Sequence, residues 1–267
     1  MNFSLPFTLA IAATCGLASA TVVNIDFDTA ASTYSGLAAA PDVAGGATAH
    51  WNPLLAVAGS ASSLALQDST NAATGIGFSL TGITGSSGFI PREQELSGGY
   101  SDLMRDYVYV DSASSSTVAS MTAQFTGLVV GGSYDLYLYG QGEYLDPASG
   151  SGGYRGQNTL FSTGASSAQT SWDGVVGGNG LLANGVEYVV FTVVAADGGG
   201  LGGVISFDIE NVVPGGNVVT DAAPSSTGGG ARRGALNAIQ LVSVVPEPSS
   251  VLLSMLGALG LMVRRRR

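Results

Sequence analysis

Forty of the 267 residues are glycine, and they fall between short runs in which apolar and polar residues alternate. Glycine inside a helix or strand costs about 0.5–1 kcal/mol relative to alanine, because it gives up the most backbone freedom on folding. A chain punctuated this densely is confined to short strands joined by many turns. Charged residues make up only 10% of it, too few for disorder driven by charge and low hydrophobicity.

The strand pattern is clearest at 134–140, Tyr134-Asp135-Leu136-Tyr137-Leu138-Tyr139-Gly140. Residues 21–28 set Val23, Ile25 and Phe27 on one face and Asn24, Asp26 and Asp28 on the other, which predicts a half-buried strand. Further strands are predicted at 64–66, 76–80, 104–110, 118–125, 159–162, 204–209 and 238–244. The run 186–194 is continuously apolar and predicts a central strand. Residues 30–59, 142–156 and 211–234 read as loops. No amphipathic helix is visible before residue 249. About ten strands at irregular spacing, with long loops between them, predict an all-β, jelly-roll-like β-sandwich.

The two ends read differently from the middle. The stretch from Phe7 to Leu17 is apolar, and Ala18-Ser19-Ala20 is a small-residue site of the A-x-A kind. This predicts a signal peptide at 1–20, its apolar segment a helix, cleaved after Ala20. The only cysteine, Cys15, lies inside it, so the passenger at 21–244 has no disulfide, no thiolate metal site and no cysteine nucleophile. At the other end, Pro246-Glu247-Pro248 precedes an uncharged run from Ser249 to Val263 and then Arg264, Arg265, Arg266 and Arg267. As a helix the run would be about 22 Å long at 1.5 Å per residue. That is short against a hydrocarbon core of about 30 Å, a gap that snorkelling Arg and local thinning can close. The Arg cluster belongs on the cytoplasmic side, which leaves the passenger outside.

The tail at 245–267 resembles the PEP-CTERM sorting signal on Pro246, Glu247 and Pro248, the apolar run 251–263, and Arg264 to Arg267. A tail of this kind also goes under the label of an ice-binding-protein C-terminal domain, which by itself implies no ice binding. The passenger shows no regular Thr-x-Thr array. The resemblance implies an exosortase as partner, a membrane-embedded, cysteine transpeptidase-like processing enzyme of Gram-negative bacteria that make extracellular polysaccharide. It implies export, transient anchoring in the inner membrane, and a final place on the cell surface or in the extracellular matrix. Two prolines hold the motif extended and deny it helical hydrogen bonds, leaving Glu247 accessible at the membrane face. Segments 103–109, 127–140 and 234–241 resemble surface-protein passengers that are similar to galactose-binding-like jelly rolls.

The passenger holds five Arg, no Lys and 18 acids, a balance of −13. A protein that neutralises phosphates needs the opposite sign, so nucleic acid is excluded as a partner. His50 is the only histidine; it sits without a G-x-S-x-G elbow, and a multi-histidine metal site is impossible by count. Paired carboxylates could hydrolyse a glycosidic bond, but nothing in the sequence selects a pair. Calcium, the one cofactor with candidate ligands, would draw on Asp26, Asp28, Asp208 and Glu210, acids at strand ends. Loop aromatics can stack on the apolar faces of sugar rings, and Trp51, Tyr100 and Trp172 are the candidates, with Tyr144 and Tyr154 behind them. The sequence thus predicts a non-enzymatic passenger; a carbohydrate-binding module contacting extracellular polysaccharide and a secreted glycoside hydrolase are the competing readings.

Overall fold

The computed structural model describes residues 20–27, 49–55, 58–63, 65–88, 103–104, 106–112, 117–142, 157–164, 166–171, 182–213 and 233–244. The chain divides into two units, Thr21–Val244 and a second made up of Met1–Ala20 and Val245–Arg267. The first unit is all-β. Its strands in chain order are β1 (Val22–Asp26), β2 (Asn52–Pro53), β3 (Gly59–Ser63), β4 (Gly77–Ile83), β5 (Gly85–Gly88), β6 (Asp106–Asp111), β7 (Ser120–Leu128) and β8 (Ser133–Tyr139). There follow β9 (Gln141–Gly142), β10 (Gln157–Thr163), β11 (Ser166–Gln169), β12 (Tyr188–Val194), β13 (Ala196–Asp197), a 3₁₀ turn at Gly199–Leu201, β14 (Gly203–Asn211), β15 (Arg233–Leu236) and β16 (Ala238–Ser243).

One sheet runs β12-β8-β16-β1-β2 and a second runs β11-β10-β14-β7-β4-β3; a small third sheet is β15-β6-β5. From β7 onward the chain alternates between the two large sheets: β7, β10 and β14 in the second, β8, β12 and β16 in the first. These six strands therefore face each other across the core, which is why each must turn an apolar residue inward at every second position. Met121, Ala123 and Phe125 do so on β7, Leu136 and Leu138 on β8, Ile205, Phe207 and Ile209 on β14, and Ile239 and Leu241 on β16. Phe78 joins Phe125 at 4.9 Å and Phe27 at 6.1 Å, and Phe125 joins Phe207 at 6.4 Å. Each such ring contributes about 1.5–3 kcal/mol by burial.

The second sheet turns its other face to solvent. There Thr122 donates to Asp208 at 2.7 Å and Gln124 to Ser206 at 3.1 Å, cross-strand pairs between β7 and β14. The first sheet is covered on both faces. All five residues of β1 are buried, so the half-buried strand expected at 21–28 is corrected to one sealed on both sides. Trp51, Leu103, Met104 and Leu182 form the second apolar layer with Tyr139, Tyr188 and Ala238.

Two further expectations shift. The apolar run expected to be central is β12, an edge strand whose far end exposes Val194. Its hydrophobicity comes from packing on two faces, with Val189 and Phe191 in the main core and Tyr188 in the second layer. The central nine-residue strands are β7 and β14. The strand expected at 64–66 is displaced to β3, and Leu66 is buried just beyond it. Among the described residues no helix is long and apolar enough to cross a membrane. The helices expected in the signal peptide and at 249–263 lie outside the described residues.

Candidate functional site

Strand alternation decides the fate of the calcium candidates. Val23 and Ile25 point into the main core, so Asp26 points to the outer side of the first sheet, where it is 1% exposed. Phe207 and Ile209 point into the core from the opposite sheet, so Asp208 and Glu210 point away from it on the solvent side. The sandwich thus lies between Asp26 and the other two, and the shared cation site expected of them is corrected. Asp28 lies outside the described residues, among which no group of three or more His, Cys, Asp or Glu converges.

Trp51 is 2% exposed and packed against Leu103, Tyr139 and Tyr188, so it presents no ring face to a sugar. This corrects its candidacy as a stacking platform. Tyr100, Tyr144, Tyr154 and Trp172 lie outside the described residues, as do Ala18, Pro246, Glu247, Pro248 and Arg264 to Arg267. Ala20 is the first described residue and is partly buried.

Under Trp51 lies a polar layer that the sequence did not announce. Asn52 donates to the carbonyls of Asn24 and Gln67, both at 2.8 Å, and accepts from the Gln67 amide at 2.8 Å. Gln240 donates to the Asn24 side chain at 2.9 Å and accepts from the Tyr139 hydroxyl at 2.6 Å. Asn24 in turn donates to the His50 carbonyl at 2.9 Å. Asn24, Asn52 and Gln240 are buried and partnered in this way, so the layer fixes the 50–52 loop on the sheet. The signal that could have found it is the pair of amides, Asn24 and Gln240, at the outward positions of the first and last strands.

The other built feature is the end of the sandwich where the chain enters and leaves. Thr21 donates its amide to the Ser243 hydroxyl at 2.7 Å, and Ser243 returns its amide to the Thr21 carbonyl at 2.9 Å. Beside them opens a cleft of about 400 Å³ lined by Thr21, Asp68, Thr74, Tyr134 and Ser243. Asp68 caps a turn at its rim, accepting from the Thr70 hydroxyl at 2.6 Å and from the Thr70 and Ala72 amides at 2.8 and 3.0 Å. The Thr70 hydroxyl and the Ala72 amide hold its carboxyl below the usual range, with His50 adding to the effect. The stretch Asp68-Ser69-Thr70-Asn71 is a legible turn signal of this kind.

The last described residue of the sandwich is Val244. From that residue to Arg267 the chain matches the PEP-CTERM protein-sorting motif. The chain carries a C-terminal sorting signal. This PEP-CTERM motif starts where the closing strand ends, so the signal and the folded domain meet without an intervening segment. Neither curated proteins nor solved structures give a match to the chain.

Proposed function

We propose that this chain is an exported protein delivered by an exosortase, and that its β-sandwich is a non-enzymatic component of the cell surface or extracellular polysaccharide matrix. The observation that carries the reading is the sorting motif at residues 244–267, joined directly to the last strand of an all-β domain. The apolar run 249–263 anchors the precursor in the inner membrane, Arg264 to Arg267 stay on the cytoplasmic side, and processing near Pro246 frees the passenger. The pairing of β1 with β16 and the alternation of β7 to β16 between two sheets support a jelly-roll-like sandwich of the galactose-binding-like kind. A single histidine and the absence of lysine, with the only cysteine at position 15, support a passenger without catalytic machinery. The burial of Trp51 removes one of three aromatics from the carbohydrate-binding alternative.

The test is the intact mass of the protein recovered from its native host. Loss of residues 1–20 and of everything near and beyond Pro246 is expected. A mass that retains the four terminal arginines would identify a plain membrane anchor and overturn the exosortase reading.

A further inference from the structure

We propose that the end of the sandwich at which the chain leaves for its sorting tail is a lipid-facing surface, resting on the bilayer interface while the tail is inserted. The inference rests on the membrane-anchored reading of the tail given above and adds the orientation of the passenger.

Seven large hydrophobic residues are exposed among the described ones, and five of them, Val129, Val130, Val194, Leu201 and Val244, gather at this end. Val129 is 70% exposed, Val194 65% and Leu201 56%. Scattered exposed hydrophobics are ordinary, but a cluster is a mark of a surface that meets something apolar. Hydrogen bonds fasten these residues into one surface. The Val129–Gly132 turn joins β7 to β8, and Gly131 donates to the Ala195 carbonyl while Ala195 donates to that of Gly132, each at 2.9 Å. Val194 pairs with Ser133, and Val244 donates to the Ser133 carbonyl at 2.9 Å. Leu201 lies two residues before Gly203, which pairs with Leu128. Leu55 and Val118 stand apart, the first beyond the Pro53–Asp26 pair and the second ahead of β7.

The occupant follows from where the chain goes next. Four residues, 245–248, separate Val244 from the apolar run that begins at Ser249. Fully extended, the five steps from Val244 to Ser249 span about 17 Å at about 3.4 Å each. An inserted tail therefore keeps this end, rather than the opposite one, within reach of the headgroup layer. Thr21 leaves from the same place, bonded to Ser243, so the signal segment of the precursor acts from the same side. The charges nearby are acidic, Asp68 at the cleft and Asp197 beside the 3₁₀ turn. The surface thus meets lipid through its valines and leucine rather than by attraction to anionic headgroups, and on neutral phosphatidylcholine the contact is insensitive to salt.

The experiment uses the full chain with Cys15→Ser as background, reconstituted in phosphatidylcholine vesicles and confirmed to float with them. An environment-sensitive NBD label is placed at Val130→Cys, at Val194→Cys, and at Ser60→Cys on β3, remote from the exit end. Expected is blue-shifted emission at 130 and 194, quenched by lipids carrying a nitroxide in the acyl chain, and water-like emission at 60. Val129→Ser with Val130→Ser should return the label at 194 to water-like emission. Replacing part of the phosphatidylcholine by phosphatidylglycerol should weaken the shift. Water-like emission at 130 and 194 in protein that floats overturns this proposal and leaves the anchored tail standing. Failure to float overturns both. A blue shift that grows with protein concentration and needs no vesicles would assign the surface to a second copy of the chain, which also overturns it.

Discussion

Asn52 occupies a strand of two residues, yet it ties three parts of the fold together. Its side chain donates to the carbonyls of Asn24 on β1 and of Gln67, and takes the Gln67 amide in return. The site is buried, so truncation strands two carbonyls and an amide away from water. Asn52→Ala should destabilise the passenger by about 2–3 kcal/mol, the cost of orphaned buried groups. Asn52→Asp should cost more at neutral pH, since a carboxylate would face two carbonyl oxygens that it cannot satisfy. Urea denaturation of residues 21–244 checks both, with the midpoint falling and the slope unchanged. An Asn52→Asp variant as stable as the native chain would mean that the donor role is unimportant. The same loop seats Trp51, so near-ultraviolet circular dichroism should report its loosening in both. None of this is legible in His50-Trp51-Asn52-Pro53 read as a sequence. A buried amide and a loop amide look alike until the sheet that covers them is known.

The strands that the sequence revealed are those whose alternation is enforced by a core on one side and water on the other. β7 and β14 read Met121-x-Ala123-x-Phe125 and Ile205-x-Phe207-x-Ile209, and both stand where the pattern places them. β3, β5 and β11 are Gly59-Ser60-Ala61-Ser62-Ser63, Gly85-Ser86-Ser87-Gly88 and Ser166-Ser167-Ala168-Gln169. Rich in Gly and Ser, they carry almost no hydrophobic period to detect. β12 was misplaced for the opposite reason: two covered faces make an edge strand look central. Gly127 near the end of β7 and Gly131 in the β7–β8 turn separate two roles that sequence alone merges. Gly127 and Gly131 both have φ of +75°. A Cβ at Gly131 would meet nothing within 4 Å, whereas one at Gly127 would run into the carbonyl oxygen of Gly75. Gly131→Ala should therefore cost about 1–2 kcal/mol, the left-handed penalty alone. Gly127→Ala should cost clearly more, because backbone must shift as well. Thermal melts of the two variants check the order, and an equal loss would mean that the backbone at Gly75 yields freely.

At the scale of the whole molecule, the sorting signal was legible and the passenger's chemistry was not, for one physical reason. The tail is read as a line, Pro246-Glu247-Pro248 and then an apolar run and four arginines, and its meaning lies in order and spacing. A ligand site is read from which faces meet, and the sandwich placed Asp26, the last residue of β1, and Asp208, inside β14, on opposite faces. The fold is closed by its ends: β16 lies between β8 and β1, pairing with both over five or six residues. That placement makes the boundary at Val244 a sharp one. A chain ending at Val244 keeps every strand of the sandwich, and should fold as the full passenger does and leave the cell without being retained. A chain ending at Asn237 lacks the central strand of the first sheet, exposing the backbone edges of β1 and β8 and removing Ile239 and Leu241 from the core. Loss of two fully buried aliphatic side chains costs on the order of 4–10 kcal/mol, comparable with the whole stability of a domain. The shorter chain should therefore be recovered only as aggregate or degraded product, while the longer one gives a cooperative melt and the far-ultraviolet spectrum of a β protein. If the chain ending at Asn237 also melts cooperatively, β16 is an accessory strand and the direct coupling of closing strand to sorting tail has no structural basis.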